Sequence, residues 1–559
     1  MKKKLPIGTS DFKKLRKADK YFVDKSLFIK EIIDEDSEII LLPRPRRFGK
    51  TLNLTMLRYF LEKTDNKKET EQLFSGLEIE KENVFSEHIC KYPVIYLTFK
   101  DIKSPNFEHS IESIKQVIAD EYRKHAYLLE SDELDDFEKG DINNIASATA
   151  NISILERSLL YLSRYLYKHH KEKPIILIDE YDTPIISAYI EGYYKETIIF
   201  FRTFLGAGLK DNRNIYKGVL TGILRVAKES IFSDMNNLGV YSIMREEYND
   251  HFGFTEKEVE ELAYDYNIKE HLENIKKWYD GYMFGKNIIY NPWSILSFVS
   301  SKDKKYRSYW ANTSSNKLIQ DIIQEVTGNI KEEIYELLKN RPVTKKIEEN
   351  IAFENLKNNE STLYSFLLFC GYLKAYECMD IEDELHCRLQ IPNTEVKLVF
   401  KNIIVKWISE AYKDYDKLRI MLKALVKGEI KVFEEILNDF VITTMSYFNT
   451  GGKKEVERVY QAFILGLLVN LAIDYEVTSE KESGYGRYDI SIVPKDKSKK
   501  AVIMELKRIE TDETTETALD NALLQIEEKK YETVILAQGV TDIAKLGVVF
   551  DGKRVWVKG

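Results

Sequence analysis

The sequence predicts an α/β protein of three parts. These are a parallel sheet with helices on both faces over residues 1–250, a mainly helical region over 251–450, and a smaller α/β domain over 451–559. Three observations carry that prediction. Up to about residue 250, short aliphatic runs alternate with amphipathic stretches, the pattern of strand and helix units in a parallel sheet. Two of those runs end in residues suited to phosphate and metal: 39–42 leads through an arginine-rich turn into Gly49-Lys50-Thr51, and 175–178 leads into Asp179-Glu180. Near residue 250 the texture turns helical, and it returns to mixed α/β after Gly451-Gly452, a linker signal.

At ~150 residues per domain, 559 residues make three or four units rather than one core. The 44% hydrophobic and 31% charged content is that of a soluble globular protein. A net charge of −8 and a pI near 5.8 exclude a wholesale nucleic-acid-binding surface, so any contact with DNA or RNA has to be local. Cys90, Cys370, Cys378 and Cys387 lack zinc-ligand spacing and read as reduced thiols. No apolar segment follows Met1-Lys2-Lys3-Lys4, and no run approaches the ~18 apolar residues of a membrane span. A cytoplasmic location without membrane contact is expected.

Taken in order, the first part predicts a strand at 39–42, a helix at 50–62, a strand at 93–99 and a helix near 106–126. The acidic stretch 130–141 reads as an exposed insertion, followed by a helix over 152–168 and strands at 174–178, 216–221 and 240–243. Thr255 and Glu258 form a capping box that opens the helical region. Trp278-Tyr279-Asp280-Gly281-Tyr282 and the turn Tyr290-Asn291-Pro292-Trp293-Ser294 read as core and loop rather than as a base-stacking platform. The last part predicts a helix over 455–471, strands near Tyr475 and at 487–493, 501–508 and 533–538, and a helix near 513–530. A hairpin about Asp551-Gly552 ends it.

A polyphosphate site needs backbone N–H groups around the phosphates, a lysine that reaches the outer ones and a hydroxyl for Mg²⁺. Gly49, Lys50 and Thr51 supply the second half of that pattern, while Arg44 replaces the glycine that should open it. The other half of such a site is a buried strand ending in an acid that holds the same Mg²⁺. Asp179 fills that place, and Glu180 beside it is suited to polarise an attacking water. Together they predict ATP and Mg²⁺ as ligands. Thr221, at the end of another strand, is placed to sense the γ-phosphate, with Arg225 close behind.

Phosphodiester hydrolysis needs carboxylates around one or two Mg²⁺ ions and often a lysine that activates water. The tail offers Asp489 and then Glu505-Leu506-Lys507, in which strand periodicity puts Glu505 and Lys507 on one face. A hairpin through 494–500 brings Asp489 alongside. Val502-Ile503-Met504 makes that strand buried, and polar groups there cost free energy unless they are paired or bind metal. Acidic and basic residues nearly balance over 451–559. Lys495, Lys497, Lys499 and Lys500 cluster on the turn, where they either meet phosphates or simply face solvent.

Pro43-Arg44-Pro45-Arg46-Arg47-Phe48-Gly49-Lys50-Thr51, Ile178-Asp179-Glu180-Tyr181-Asp182, Thr221-Gly222-Ile223-Leu224-Arg225 and Tyr290-Asn291-Pro292-Trp293-Ser294 together resemble one family. It is the AAA-ATPase-like family of bacterial proteins that end in a PD-(D/E)XK nuclease-superfamily domain. Tyr21-Phe22-Val23-Asp24-Lys25-Ser26 and Ile391-Pro392-Asn393-Thr394-Glu395-Val396 are similar too, so the resemblance covers nearly the whole chain. It implies a P-loop sheet first and a restriction-endonuclease-like domain last. It also makes the arginine-rich loop a family trait, with Arg46, Arg47 and Phe48 joining Gly49 to Thr51 around nucleotide. For the tail it implies Asp489, Glu505 and Lys507 as catalytic, Glu457 as a further metal ligand and Gln525 as a contact of the site. Tyr488 stands where the family name has proline. An ATP-controlled nuclease on DNA or RNA is the first reading. A nucleotide-dependent binding switch without cleavage and an ATPase acting on a protein partner remain as alternatives, and a homo-oligomer stays open.

Overall fold

The structure, a computed structural model, describes residues 2–226, 231–232, 235–310, 319, 322–323, 328–412, 415–444, 464, 467–468, 471, 474–509, 513–552 and 554–559. The chain divides into two compact units, Met1–Ile322 with Pro342–Val396, and Ile323–Arg341 with Lys397–Gly559.

In the first unit, β1 (Ile39–Pro43), β2 (Val94–Thr98), β3 (Ile175–Asp179), β4 (Lys217–Gly222) and β5 (Leu238–Val240) form a parallel sheet ordered β2-β3-β4-β1-β5. Every residue of β1, β3 and β4 is buried, as expected of central strands covered on both faces. Inserting β4 between β1 and β3 decides where chemistry collects. Leu42 pairs with Thr221, Leu220 with Ile178 and Asp179 with Thr98, so the carboxyl ends of four strands lie side by side. Ligands of open α/β sheets bind at such edges. The helix Lys50–Leu61 leaves that edge, and Gly49 precedes it at φ 87°, a left-handed turn that glycine adopts freely.

The acidic stretch 130–141 is largely exposed, as expected, but it folds as part of a helix packed on one side rather than as a loose insertion. Asp135 and Glu138 form a capping box on the helix Asp136–Ala146, and the buried Glu138 takes an ion pair from Lys168 at 2.6 Å. Leu134, Ile142 and Ile145 are buried beside it, so the charges are the outer and capping positions of an amphipathic helix.

The capping box of Thr255 and Glu258 forms as expected. The middle region adds two small antiparallel sheets, one of β6 (Phe254–Thr255), β7 (Tyr282–Phe284) and β8 (Asn287–Tyr290), the other of β9 (Val343–Lys346), β10 (Lys374–Ile381) and β11 (Glu384–Gln390). Cys378 and Cys387 face each other across β10 and β11 and form a disulfide, which corrects the reading of all four cysteines as reduced. Cys90 and Cys370 are free thiols.

In the second unit β12 (Tyr475–Ser483), β13 (Gly486–Pro494), β14 (Ala501–Arg508), β15 (Ile543–Asp551) and β16 (Arg554–Lys558) run in sequential order. Only β14 and β15 are parallel, with the helix Thr515–Glu528 in the crossover between them. The hairpins at 494–500 and about Asp551-Gly552 are present. The run over 533–538 is helix Thr533–Ala537 rather than strand. Its Ile535 packs into a core with Tyr488, Ile503, Ile526 and Tyr531, and Gly539 at φ 87° closes the turn, so a short aliphatic run that fits either structure is decided by tertiary packing. Gly451-Gly452 and most of the helix expected over 455–471, Glu457 included, lie outside the described residues.

Candidate nucleotide and nuclease sites

At the sheet edge the two halves of the first constellation meet. Thr51 Oγ1 donates to Asp179 Oδ2 at 2.8 Å, and Thr221 Oγ1 donates to Asp179 Oδ1 at 2.8 Å. Asp179 is fully buried, and burial with the Glu180 charge pushes its pKa up while the two threonines and Lys50 oppose the rise. Lys50 Nζ donates to the carbonyls of Arg44 and Pro45 at 3.0 and 3.1 Å, and burial lowers its pKa against the pull of Glu180, Asp182 and Asp179. Glu180 follows at φ 51° and accepts a hydrogen bond from Thr183. Left-handed backbone at two non-glycine residues, Arg47 and Glu180, concentrates strain around one site, while Gly49 takes the same conformation freely.

A cavity of about 380 Å³ opens on this edge. Arg47 to Asn53 and Glu180 form one wall; Pro6 to Ser10, Tyr21 to Val23, His251, Phe254, Pro292 and Trp293 form the rest. The lining combines the polar Arg47, Lys50, Thr51 and Glu180 with the aromatic Tyr21, Phe22, Phe254 and Trp293, a mixture suited to a ligand with charged and apolar parts. The donor set also fits Mg²⁺, a hard ion that takes oxygen ligands and needs few carboxylates.

The three arginines separate. Arg44 is fully buried and donates to the carbonyls of Pro43, Tyr241 and Tyr248 at 2.9, 2.6 and 3.1 Å, with its guanidinium over the rings of Phe252 and Phe284. It therefore holds the loop and not the phosphates. Arg46 lies apart from the cavity, beside Cys370 and Tyr372. Arg47 lines the cavity, and its guanidinium lies 3.8 Å from the Trp293 ring centre. Phe48 turns its ring toward Tyr282 and Phe284, where Gly253 is required because a Cβ there would meet Ile289 at 2.2 Å. Arg225 stays outside the cavity wall, its Nε buried without a hydrogen-bond partner among the described residues.

Several residues of this site had no role assigned to them from sequence. Asp182, with its pKa pushed up to about 6 by burial, accepts from the N–H groups of Ile223 and Leu224 at 2.7 and 3.0 Å. Tyr181 donates to Leu224 O at 2.7 Å and accepts from Val226 N at 3.1 Å, so the acid-bearing strand end clamps the segment after Thr221. His251 lines the cavity and pairs with Glu31 at 2.5 Å. Trp293, expected as loop, stands in the cavity wall. The tripeptide spacing of a P-loop gives no signal for residues brought in from 200 positions away.

In the second unit, Asp489 Oδ2 accepts the Leu506 N–H at 2.7 Å, which ties it across β13 and β14 to the backbone beside Glu505. Glu505 is buried, and Gln525 Nε2 donates to its Oε1. The other end of the same amide, Oε1, accepts from Lys507 Nζ at 2.8 Å. Glu505 and Lys507 thus share one face, and Gln525 on the crossover helix bridges them. Tyr531 accepts from Gln525 at 3.2 Å, and burial raises its pKa. Tyr488 is buried against Tyr531 and bonds Thr478 at 2.7 Å, so the residue in the proline's place serves the core. Two carboxylates are an oxygen set that Mg²⁺ accepts with waters. Among the described residues no group of three His, Cys, Asp or Glu is placed to hold a metal, and Glu457 falls outside them.

Gly49-Lys50-Thr51 beside Asp179 on one sheet, and Asp489 with Glu505 and Lys507 on the other, are the two constellations against which the comparisons are set. Residues 6–232 match the family described as predicted AAA-ATPase, and residues 455–559 match the PD-(D/E)XK nuclease superfamily. The chain therefore carries an AAA-ATPase-like domain and a PD-(D/E)XK nuclease-superfamily domain. It is also 24% identical over 558 residues to an uncharacterized protein in the vnfD 5′ region of Azotobacter chroococcum mcd 1, with 98% of this chain and 96% of that one covered. Among the described residues no helix is long and apolar enough to cross a membrane.

Proposed function

We propose that the protein binds ATP at its P-loop and uses the nucleotide to control a Mg²⁺-dependent phosphodiester hydrolase acting on DNA or RNA. The observation that carries this reading is that each constellation closes: Asp179 is bonded to Thr51, and one Gln525 amide joins Glu505 to Lys507. Mg²⁺ at either site supplies positive charge against phosphate oxygens. Thr51 and Asp179 would hold it with ATP, and Asp489 and Glu505, joined by Glu457, would hold it in the tail. Lys50 leaves the Arg44 and Pro45 carbonyls to meet the outer phosphates, and Arg47 binds phosphate from the cavity wall. Glu180 orients water in the nucleotide site, while Thr221, bonded to Asp179, responds to the γ-phosphate, and Arg225, outside the cavity wall, takes part only through the segment that follows Thr221. In the tail Lys507 orients water and Gln525 fixes its ammonium beside Glu505.

Arg44 supports the nucleotide reading, because its side chain is engaged away from the cavity. A cytoplasmic setting follows from the two ligands, and exposure of Cys378 leaves the cross-strand disulfide open to reduction there. The test is cleavage of labelled single- and double-stranded DNA and RNA with Mg²⁺ or Mn²⁺, with and without ATP. Cleavage lost in Asp489→Ala and Lys507→Ala is expected; no cleavage of any substrate by the wild type would defeat the reading.

A further inference from the structure

Glu395 is a wholly buried carboxylate that neither site uses. It is the second residue of the helix Thr394–Tyr412, next to Val396, where the chain leaves the first unit to enter the second at Lys397. Its oxygens are taken by two donors from separate segments: Trp310 N–H to Oε1 at 2.6 Å and Ser294 Oγ to Oε2 at 2.7 Å. Both donors lead to the P-loop. The Trp310 indole N–H donates to the Arg46 carbonyl at 3.3 Å. Ser294 follows Trp293, whose ring carries the Arg47 guanidinium, and Arg47 is near enough for its charge to act on Glu395.

The arrangement has a use that simple packing lacks. A buried carboxylate with two neutral donors is costly, and an aliphatic residue of similar size would fill the space without the penalty. What the carboxylate adds is a fixed link between the loop at Arg46 and Arg47 and the start of the helix that runs on into the second unit. An anionic phosphate in the cavity competes for Arg47, which withdraws its charge from Glu395 and loosens the hold of Ser294 and Trp310 on the helix start.

We infer that Glu395 is a positioning residue that reports nucleotide in the P-loop cavity to the helix entering the nuclease-bearing unit. This inference rests on the nucleotide reading above, and the experiment separates the two. ATP affinity with Mg²⁺ is measured by calorimetry, and hydrogen exchange over 394–412 is followed with and without nucleotide, in wild type, Glu395→Gln and Trp310→Phe. Glu395→Gln keeps the size of the side chain, and Trp310→Phe keeps an aromatic ring in place while removing the indole N–H, so the fold stays testable. The expected result is affinity within about threefold of wild type in both variants, together with loss of the nucleotide-induced change in exchange that wild type displays. A nucleotide-induced change equal in all three proteins, or none in a wild type that binds ATP, overturns the inference alone. A wild type that binds no nucleotide overturns the nucleotide reading and this inference with it, and calorimetry distinguishes that case.

Discussion

Thr51 and Asp179, separated by 128 residues, are joined by a hydrogen bond of 2.8 Å at the carboxyl edge of the parallel sheet. The bond exists because β4 lies between β1 and β3 and brings both strand ends to one place. Asp179→Asn keeps the shape and one acceptor but removes the charge. Affinity for ATP with Mg²⁺ should fall at least tenfold, while affinity measured in EDTA should change little. Parallel calorimetric titrations check this, and an equal fall in both would make Asp179 structural only.

The arginines should behave differently from one another. Arg44→Met strands the carbonyls of Tyr241 and Tyr248 and should cost about 2–4 kcal/mol, seen as a lowered denaturation midpoint. Arg47→Ala should weaken ATP binding roughly tenfold at nearly unchanged stability, because a charge-assisted phosphate contact is worth about 1.5–3 kcal/mol. Arg46→Ala should bind ATP normally.

Gln525 orients both Glu505 and Lys507, so Gln525→Ala should slow cleavage by about 10–100-fold without abolishing it. Single-turnover rates at saturating Mg²⁺ measure the effect. Gln525→Glu should be slower still, since it adds a negative charge beside Glu505 and removes the amide donor.

Burial pushes the Glu395 carboxyl up to about 7, with Trp310, Ser294 and Arg47 opposing the rise. The folded protein thus holds this proton more tightly than the unfolded chain does. The associated stability is present below about pH 4.5 and is lost as pH rises from there to about 7. Glu395→Gln cannot lose it. Moving from pH 5 to pH 8 should shift relative stability toward the variant by on the order of 2 kcal/mol, read from denaturation midpoints of the two proteins.

The sheet was legible because aliphatic runs such as 39–42 and 175–178 are buried on both faces and leave a period-free signal. The strand ends of the candidate site were legible because Gly49-Lys50-Thr51 and Asp179 carry a recognisable chemistry in their residue types. Trp293 and His251 were not, since their place in the cavity is set by tertiary structure and not by local spacing. The same holds for Arg44, whose role follows from carbonyls about 200 residues away. The helix Thr533–Ala537 was misread as strand because five residues hold too little periodicity to tell the two apart.

The most direct test of the account is the rate of Mg²⁺-dependent nucleic-acid cleavage as a function of ATP concentration, compared between wild type, Lys50→Ala and Asp489→Ala. The account predicts a wild-type rate that changes with ATP, half-maximally near the measured ATP dissociation constant. Lys50→Ala should cleave at one ATP-independent rate, and Asp489→Ala should not cleave. Cleavage by Asp489→Ala at the wild-type rate, or a wild-type rate indifferent to ATP that is demonstrably bound, would contradict it.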